Sequence, residues 1–246
     1  MTLIHMTWFD ELAIRNFIEA GRVLEDAKEI NILVSYAYSK TWKDQQQALV
    51  YNQWMLDSGA YSAFAKGAVI EIEEYLDYCL SVLQDSKQNG IFVLDNIQDW
   101  KISRRNTEYL ISKGIPVIPV YHRDEPTELL KEYSVMSKKI GLGGIVRDRK
   151  GSDRWIDACF STIWPQKIHG LGVDSSTMIL KYPWHSVDSS QWMWAVMKMC
   201  RWKRFGFLGQ PKTRSDICLI SQIEEVLKLQ REAKGRWGKM LATLED

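Results

Sequence analysis

The sequence predicts a (β/α)8 barrel, and three observations carry the prediction. Short apolar, β-branched runs alternate with amphipathic stretches about eight times, the signature of strand followed by helix. The chain of 246 residues is close to the length of one such barrel. Predicted strands also end repeatedly on residues suited to chemistry, namely Asp57, Asp95, the Gly143-Gly144 pair and Asp188. A doubly wound parallel sheet is the structural alternative. No internal repeat, low-complexity tract or linker interrupts the alternation, so one barrel domain is expected over residues 1–246.

Phe9, Leu12, Ala13, Phe17, Ala20 and Leu24 recur at helical spacing, predicting an N-terminal amphipathic helix over about 8–28. Ile30 to Tyr36 is the first convincing strand, and Lys40 to Val50 has helix-forming composition. Trp54-Met55-Leu56 reads as a buried strand that leaves Asp57 at its tip, with Gly59 permitting a sharp exit. A loop to Val69 leads to a helix from Glu71 to Lys87. Asn89-Gly90 then breaks the chain before the strand Ile91 to Asp95. A helix over Lys101 to Lys113 precedes a strand over Ile115 to Tyr121, with His122 at its exit. Asp124 to Ser137 reads as helix, Lys139 to Gly144 as strand, and Ser152 to Ser161 as a helix capped by Ser152. Lys167 to Val173 is the next strand, followed by a short helix at Ser175 to Leu180 and a strand at Trp184 to Asp188. A helix over Ser189 to Trp202, an eighth strand at Phe205 to Leu208 and a closing helix over about 216–234 complete the reading.

Composition narrows the partners. Net charge is +1, so any affinity for phosphate must come from local clustering of the 32 basic residues. Cys79, Cys159, Cys200 and Cys218 lie on different predicted elements without ligand spacing, which predicts no metal site and fits a reducing, cytoplasmic setting. The apolar start reaches Asp10 and Glu11 too soon for a signal peptide or membrane span. No cofactor motif is present. From Lys198 to Arg214 the basic residues Arg201, Lys203, Arg204, Lys212 and Arg214 are interleaved with Trp202, Phe205 and Phe207 and carry no acid between them. That pattern suits a nucleic-acid track, although a solvated helix face with a buried aromatic side would read the same.

The motifs at the strand ends carry a resemblance. Leu56 to Phe64 resembles the Asp-Ser-Gly-Gly-Phe-Gln segment of the tRNA-guanine transglycosylases, and Val93-Leu94-Asp95 is similar to their base-binding aspartate. Gly141-Leu142-Gly143-Gly144 resembles their glycine-rich loop. Gly170 to Val173 and Ser186-Val187-Asp188-Ser189-Ser190 match the late strand and the nucleophile segment in order. The family's zinc-binding cysteines are absent, and Tyr121-His122-Arg123 replaces its Gln-Gly-Gly, features more like the small phage, DpdA-type enzymes that act on DNA.

The resemblance implies a base exchange in which guanine in DNA, or alternatively tRNA, is replaced by a free 7-deazaguanine base without cofactor. Asp188 would be the nucleophile and Asp57 the proton-transfer group. Asp95 would read the purine edge, and Ser58, Gly59, Tyr61, His122, Gly143 and Gly144 would surround the base. Each has a plainer reading. Asp57 can serve an Asx turn, the glycine pair a strand-to-helix turn, and His169 the core, while His185 can orient Asp188 or simply pack. A barrel that binds nucleic acid without turnover, and an unrelated barrel enzyme acting on a small phosphorylated substrate or a nucleoside, remain as alternatives.

Overall fold

The computed structural model describes residues 2–8, 21, 24–145, 151–190 and 211–243. All strand pairings among them are parallel, in the order β5-β4-β3-β2-β1-β9-β8-β7-β6. The strands are β1 (Leu3–Trp8), β2 (Asn31–Ser35), β3 (Gln53–Asp57), β4 (Gln88–Phe92), β5 (Val117–Ile118), β6 (Val120–His122), β7 (Lys139–Gly143), β8 (Lys167–Gly170) and β9 (Ser186–Ser189). The two ends of that order, β5 and β6, are one stretch of chain divided at Pro119. Val117 and Ile118 pair with β4, whereas Val120 to His122 pair with β7. Proline has no N–H to give the ladder, and here its carbonyl accepts from Gly141 N–H at 2.9 Å. The nine segments thus fill eight positions of a nearly closed barrel.

The described helices are α1 (Ser39–Gln45), α2 (Ala60–Ala65), α3 (Ile72–Val82), α4 (Trp100–Ser112), α5 (Thr127–Met136), α6 (Ser152–Ile163), α7 (Ser176–Lys181) and α8 (Pro211–Ala242). Their apolar faces cover the outside of the strands, as both faces of a parallel sheet must be covered. One buried cluster joins Val34, Trp54 and Leu56 to Tyr75 and Cys79 of α3, and a second joins Ile140, Ile168 and Val187 to Leu130, Tyr133 and Phe160. Trp42, Trp54 and Trp184 are fully buried, a core use for these tryptophans.

Several expectations need correction. The chain opens with a strand, β1, rather than with helix alone, and a 3-10 helix occupies Glu25–Glu29. Residues 9–20 of the expected first helix lie outside the described residues, as do those of the helix over Ser189 to Trp202 beyond residue 190. The proposed eighth strand, Phe205 to Leu208, also lies outside them, and β1 fills the position between β2 and β9. β4 takes in Asn89 and Gly90 and stops at Phe92, so Asp95 stands three residues beyond the strand. Ser152 is the first helical residue of α6, and Gly151 occupies the cap in a left-handed conformation. Among the described residues no helix is long and apolar enough to cross a membrane.

α8 is tied to the barrel by a buried glutamine. Gln230 Oε1 accepts from Ile4 N–H at 2.9 Å and from Asn31 Nδ2 at 2.8 Å, while its Nε2 donates to Glu29 C=O at 3.2 Å. Asn52 Nδ2 extends the network by donating to Asn31 Oδ1 at 3.0 Å. Gln230→Leu is expected to strand the Ile4 amide and the Asn31 side chain away from water, lowering unfolding free energy by about 2–4 kcal/mol. Urea denaturation checks this, and a loss under about 0.5 kcal/mol would mean that the network adds little.

Candidate active site

The carboxyl ends of the strands gather three aspartates. Asp57 closes β3, Asp188 lies in β9, and Asp95 reaches the same mouth from the loop after β4. Their proximity is electrostatic as well as topological, since both Asp95 and Asp188 push the Asp57 carboxyl upward.

Asp188 is 8% exposed and is held at one oxygen. His169 Nε2 and the Gly172 N–H lie 3.1 and 3.0 Å from Oδ1. His169 Nδ1 in turn lies 2.8 Å from Ser186 Oγ. Burial pushes His169 well below the usual imidazole range, so the ring is neutral and one tautomer satisfies the chain. With Asp188 ionised, Ser186 O–H donates to Nδ1 and Nε2–H donates to Asp188. Both contacts end on Oδ1, so among the described residues Oδ2 takes no part in this relay. Burial pushes the Asp188 carboxyl up to about 7, against the Gly172 amide that favours its charge.

Asp57 has a different setting. Its Oδ2 accepts from Gly59 N–H at 3.1 Å. Gly59 adopts φ +76°, and a Cβ there would stand 2.8 Å from Ser35 Oγ, so this turn requires glycine. The plain Asx-turn role of Asp57 is therefore present. It coexists with a carboxyl raised to about 7, first by burial and then by Asp95 and Asp188.

Asp95 is a pairing centre. His122 Nε2 lies 2.9 Å from its Oδ2, and Ser58 Oγ donates to its Oδ1 at 3.4 Å. Ser58, 1% exposed, also accepts from Ala60 N–H at 3.3 Å. His122 is fixed at its own backbone, where its N–H donates to Glu125 Oε2 at 2.8 Å. Gly143 sits flat against the His122 ring, and a Cβ there would meet ring atoms at 2.5 and 2.6 Å. Its lack of a side chain makes room for the histidine ring. Gly144 is exposed, with φ +80°, in the turn that follows.

Tyr61 projects from α2 and is 61% exposed. Arg201, Lys203 and Arg204 lie outside the described residues, as do the side chains of Lys212 and Arg214 and the loop from Arg147 to Lys150. The sequence places His169 in the core, and Ser186 and Gly172 within motifs but without a role of their own. The histidine is fully buried, as read, yet its bonding is to Asp188. Among the described residues no group of three or more His, Cys, Asp or Glu is arranged to hold a metal ion.

No family model matches the chain, and no curated protein matches it. Solved structures resemble it in fold. The YdjI aldolase of Escherichia coli K12 aligns with a TM-score of 0.62 and 14% identity over 97% of this chain and 93% of that one. A Coccidioides immitis protein assigned as a fructose-1,6-biphosphate aldolase aligns at 0.60 and 10% identity, over 96% and 91%. A mutant tryptophan synthase α-subunit from Pyrococcus furiosus aligns at 0.52 and 15% identity, over 92% and 97%. At such identities the likeness establishes the barrel.

These findings overturn the resemblance to the tRNA-guanine transglycosylases. No member of that family stands among these neighbours, and no family model matches. The motifs behind it are an apolar strand, a polar tip and a glycine-assisted turn, which any parallel barrel places at its C-terminal rim.

Two outcomes are expected. Gly143→Ala should drive the His122 ring off Asp95 and cost about 1–3 kcal/mol of stability. An unchanged His122 environment by NMR would contradict the contact. The second concerns pH. With carboxyls raised from about 4 to about 7, the native state keeps protons that the unfolded chain has released. Their contribution to stability therefore falls as pH rises across that window and is level above it. Asp57→Asn cannot titrate, so its stability relative to wild type should climb from pH 4 to 7 by on the order of 1–3 kcal/mol and then plateau. A difference flat with pH, measured by denaturant titration, would refute the raised carboxyl.

Proposed function

We propose that the barrel is an enzyme of glycosyl transfer, in which Asp188 attacks the sugar carbon of an N-glycosidic bond and Asp57 moves the proton. The observation that carries this reading is that two carboxyls at the same end of the barrel are both raised to about 7, one of them held by His169 and Gly172 at a single oxygen. Positive charge developing at the sugar carbon would draw Asp188 into its ionised form.

In the proposed sequence, Oδ2 of Asp188 forms a bond to the anomeric carbon as the carbon–nitrogen bond breaks and its electron pair leaves with the base. Asp57 supplies the proton that neutralises the departing base. An incoming base returns a proton to Asp57 and attacks the same carbon, releasing the carboxylate. Two inversions retain configuration. Asp95, fixed by His122 and Ser58, offers acceptor oxygens suited to the N–H and amino donors of a guanine-like edge.

The narrower form of the proposal is exchange of guanine in DNA, or in tRNA, for a free 7-deazaguanine. It is supported by the acceptor at Asp95 and by the basic stretch from Lys198 to Arg214. A base within a duplex would first have to be flipped out. A second reading, proton shuttling on a small phosphorylated substrate with no covalent intermediate, is favoured by both carboxyls standing near 7, the range of an acid–base pair.

Purified protein incubated with DNA or tRNA and labelled guanine or 7-deazaguanines, followed by nucleoside mass spectrometry, separates these readings. Exchange is expected, with a denaturation-resistant adduct on Asp188. Asp188→Asn should retain nucleic-acid binding while losing about 10³-fold or more of the exchange rate. An adduct on Asp57 or Asp95, or substantial exchange by Asp188→Asn, would overturn the assignment.

A further inference from the structure

The end of the barrel opposite the aspartates holds a cleft of about 1010 Å3, bounded by the starts of β3, β4, β7 and β8. Among the described residues four lysines line it, Lys138, Lys139, Lys167 and Lys234, and no Asp or Glu does. Lys139 and Lys167 open adjacent strands in direct register, so their side chains leave the sheet on the same face. Lys139 Nζ donates to the Asn89 carbonyl at 3.3 Å, a weak substitute for a counter-ion. Lys234 has Glu29 at 4.0 Å, outside the cleft lining. His185 completes the group. It is 7% exposed, and its Nδ1 is buried with no hydrogen-bond partner among the described residues.

This arrangement crowds like charges together. Burial, then Lys167, lowers the Lys139 ammonium to about 8, and burial, then Lys139, pushes His185 well below the usual imidazole range. Lys139 and Lys167 are half-buried side by side, and partly desolvated like charges of this kind favour an opposite charge between them. A ligand suited to these groups is anionic and rich in acceptors, since each ammonium has three donors. A single carboxylate offers one charge, whereas a phosphate monoester offers up to two charges and three terminal oxygens. The cleft is also far roomier than phosphate alone requires. Ile111, Ile115, Val117 and Met136 line it too, giving an apolar surface for an organic body.

We propose that this cleft is a second ligand site, separate from the aspartate mouth, that binds a small phosphate monoester with its phosphate at Lys139, Lys167 and His185. The site stands on its own residues and requires no particular reaction at the mouth.

Inorganic phosphate, titrated calorimetrically into the full chain at ionic strength fixed with sodium chloride, tests the anion subsite. One saturable site per chain is expected, with a rise in melting temperature over the chloride control. Lys139→Met should weaken binding at least about tenfold, the scale of one lost charge-assisted hydrogen bond. Lys167→Gln, at a partly exposed position that should tolerate the change, should do the same, whereas Asp188→Asn should bind as wild type does. Ribose 5-phosphate and adenosine 5′-monophosphate then test the ester, and at least one should bind more tightly than inorganic phosphate. Absence of saturable binding, or binding unchanged in Lys167→Gln, would overturn the site. Tighter binding of inorganic phosphate than of both esters would overturn the organic ligand. Displacement of phosphate by an oligonucleotide more strongly than by either ester would assign the cleft to a nucleic-acid backbone and overturn the small ligand.

Discussion

The organising constraint of this molecule is the cost of keeping carboxylates out of water at the end of a closed barrel. A (β/α)8 barrel fills its interior with side chains, so a carboxyl set against that core at the strand tips is partly desolvated, as Asp188 is at 8% exposure. Asp57, Asp95 and Asp188 share that place, and the two most affected are held near neutrality. Charge repulsion and desolvation act in the same direction there, which makes the site a store of unfavourable energy relieved by protonation or by a positively charged reacting centre.

The surrounding structure makes that store tolerable by fixing each carboxyl differently. Asp188 leans on a buried imidazole that a serine orients. Asp57 is stitched into its own turn, and Asp95 has a histidine that a glycine admits. One fold therefore places three chemically identical side chains in three environments, from which different roles can follow. The opposite end carries the reverse charge, with half-buried lysines beside His185 and, among the described residues, no acid in the lining. Barrel geometry separates these two sets by the length of the strands.

Much of this was legible in the sequence where burial leaves a plain signature. Trp54-Met55-Leu56 announces a buried strand, so Asp57 at its tip could be placed without coordinates, and Val187-Asp188 reads similarly. β1 is hidden because His5 and Thr7 interrupt its apolar run and because the helical periodicity that begins at its last residue dominates the start of the chain. Asp95 was assigned to a strand end because Ile91 to Leu94 is apolar throughout, although the ladder stops at Phe92. The His169–Asp188 bond depends on the register that sets His169 opposite Ser186, which no local pattern encodes. Nor could any local pattern assemble the lysine cleft, whose members come from β7, β8 and α8. Family resemblance failed for a related reason, since short motifs at strand tips record the needs of a barrel rim as readily as a lineage.

The central claim is that an aspartate pair at the mouth titrates near neutrality. Carbon-detected NMR titration of protein labelled at the aspartate carboxyl carbons addresses it, with Asp57→Asn and Asp188→Asn used for assignment. The account predicts two carboxyl resonances with midpoints around pH 7, each lost in its own variant. If the resonances assigned to Asp57 and Asp188 instead titrate in the ordinary carboxylate range around pH 4, the desolvated pair does not exist and the chemistry built on it falls.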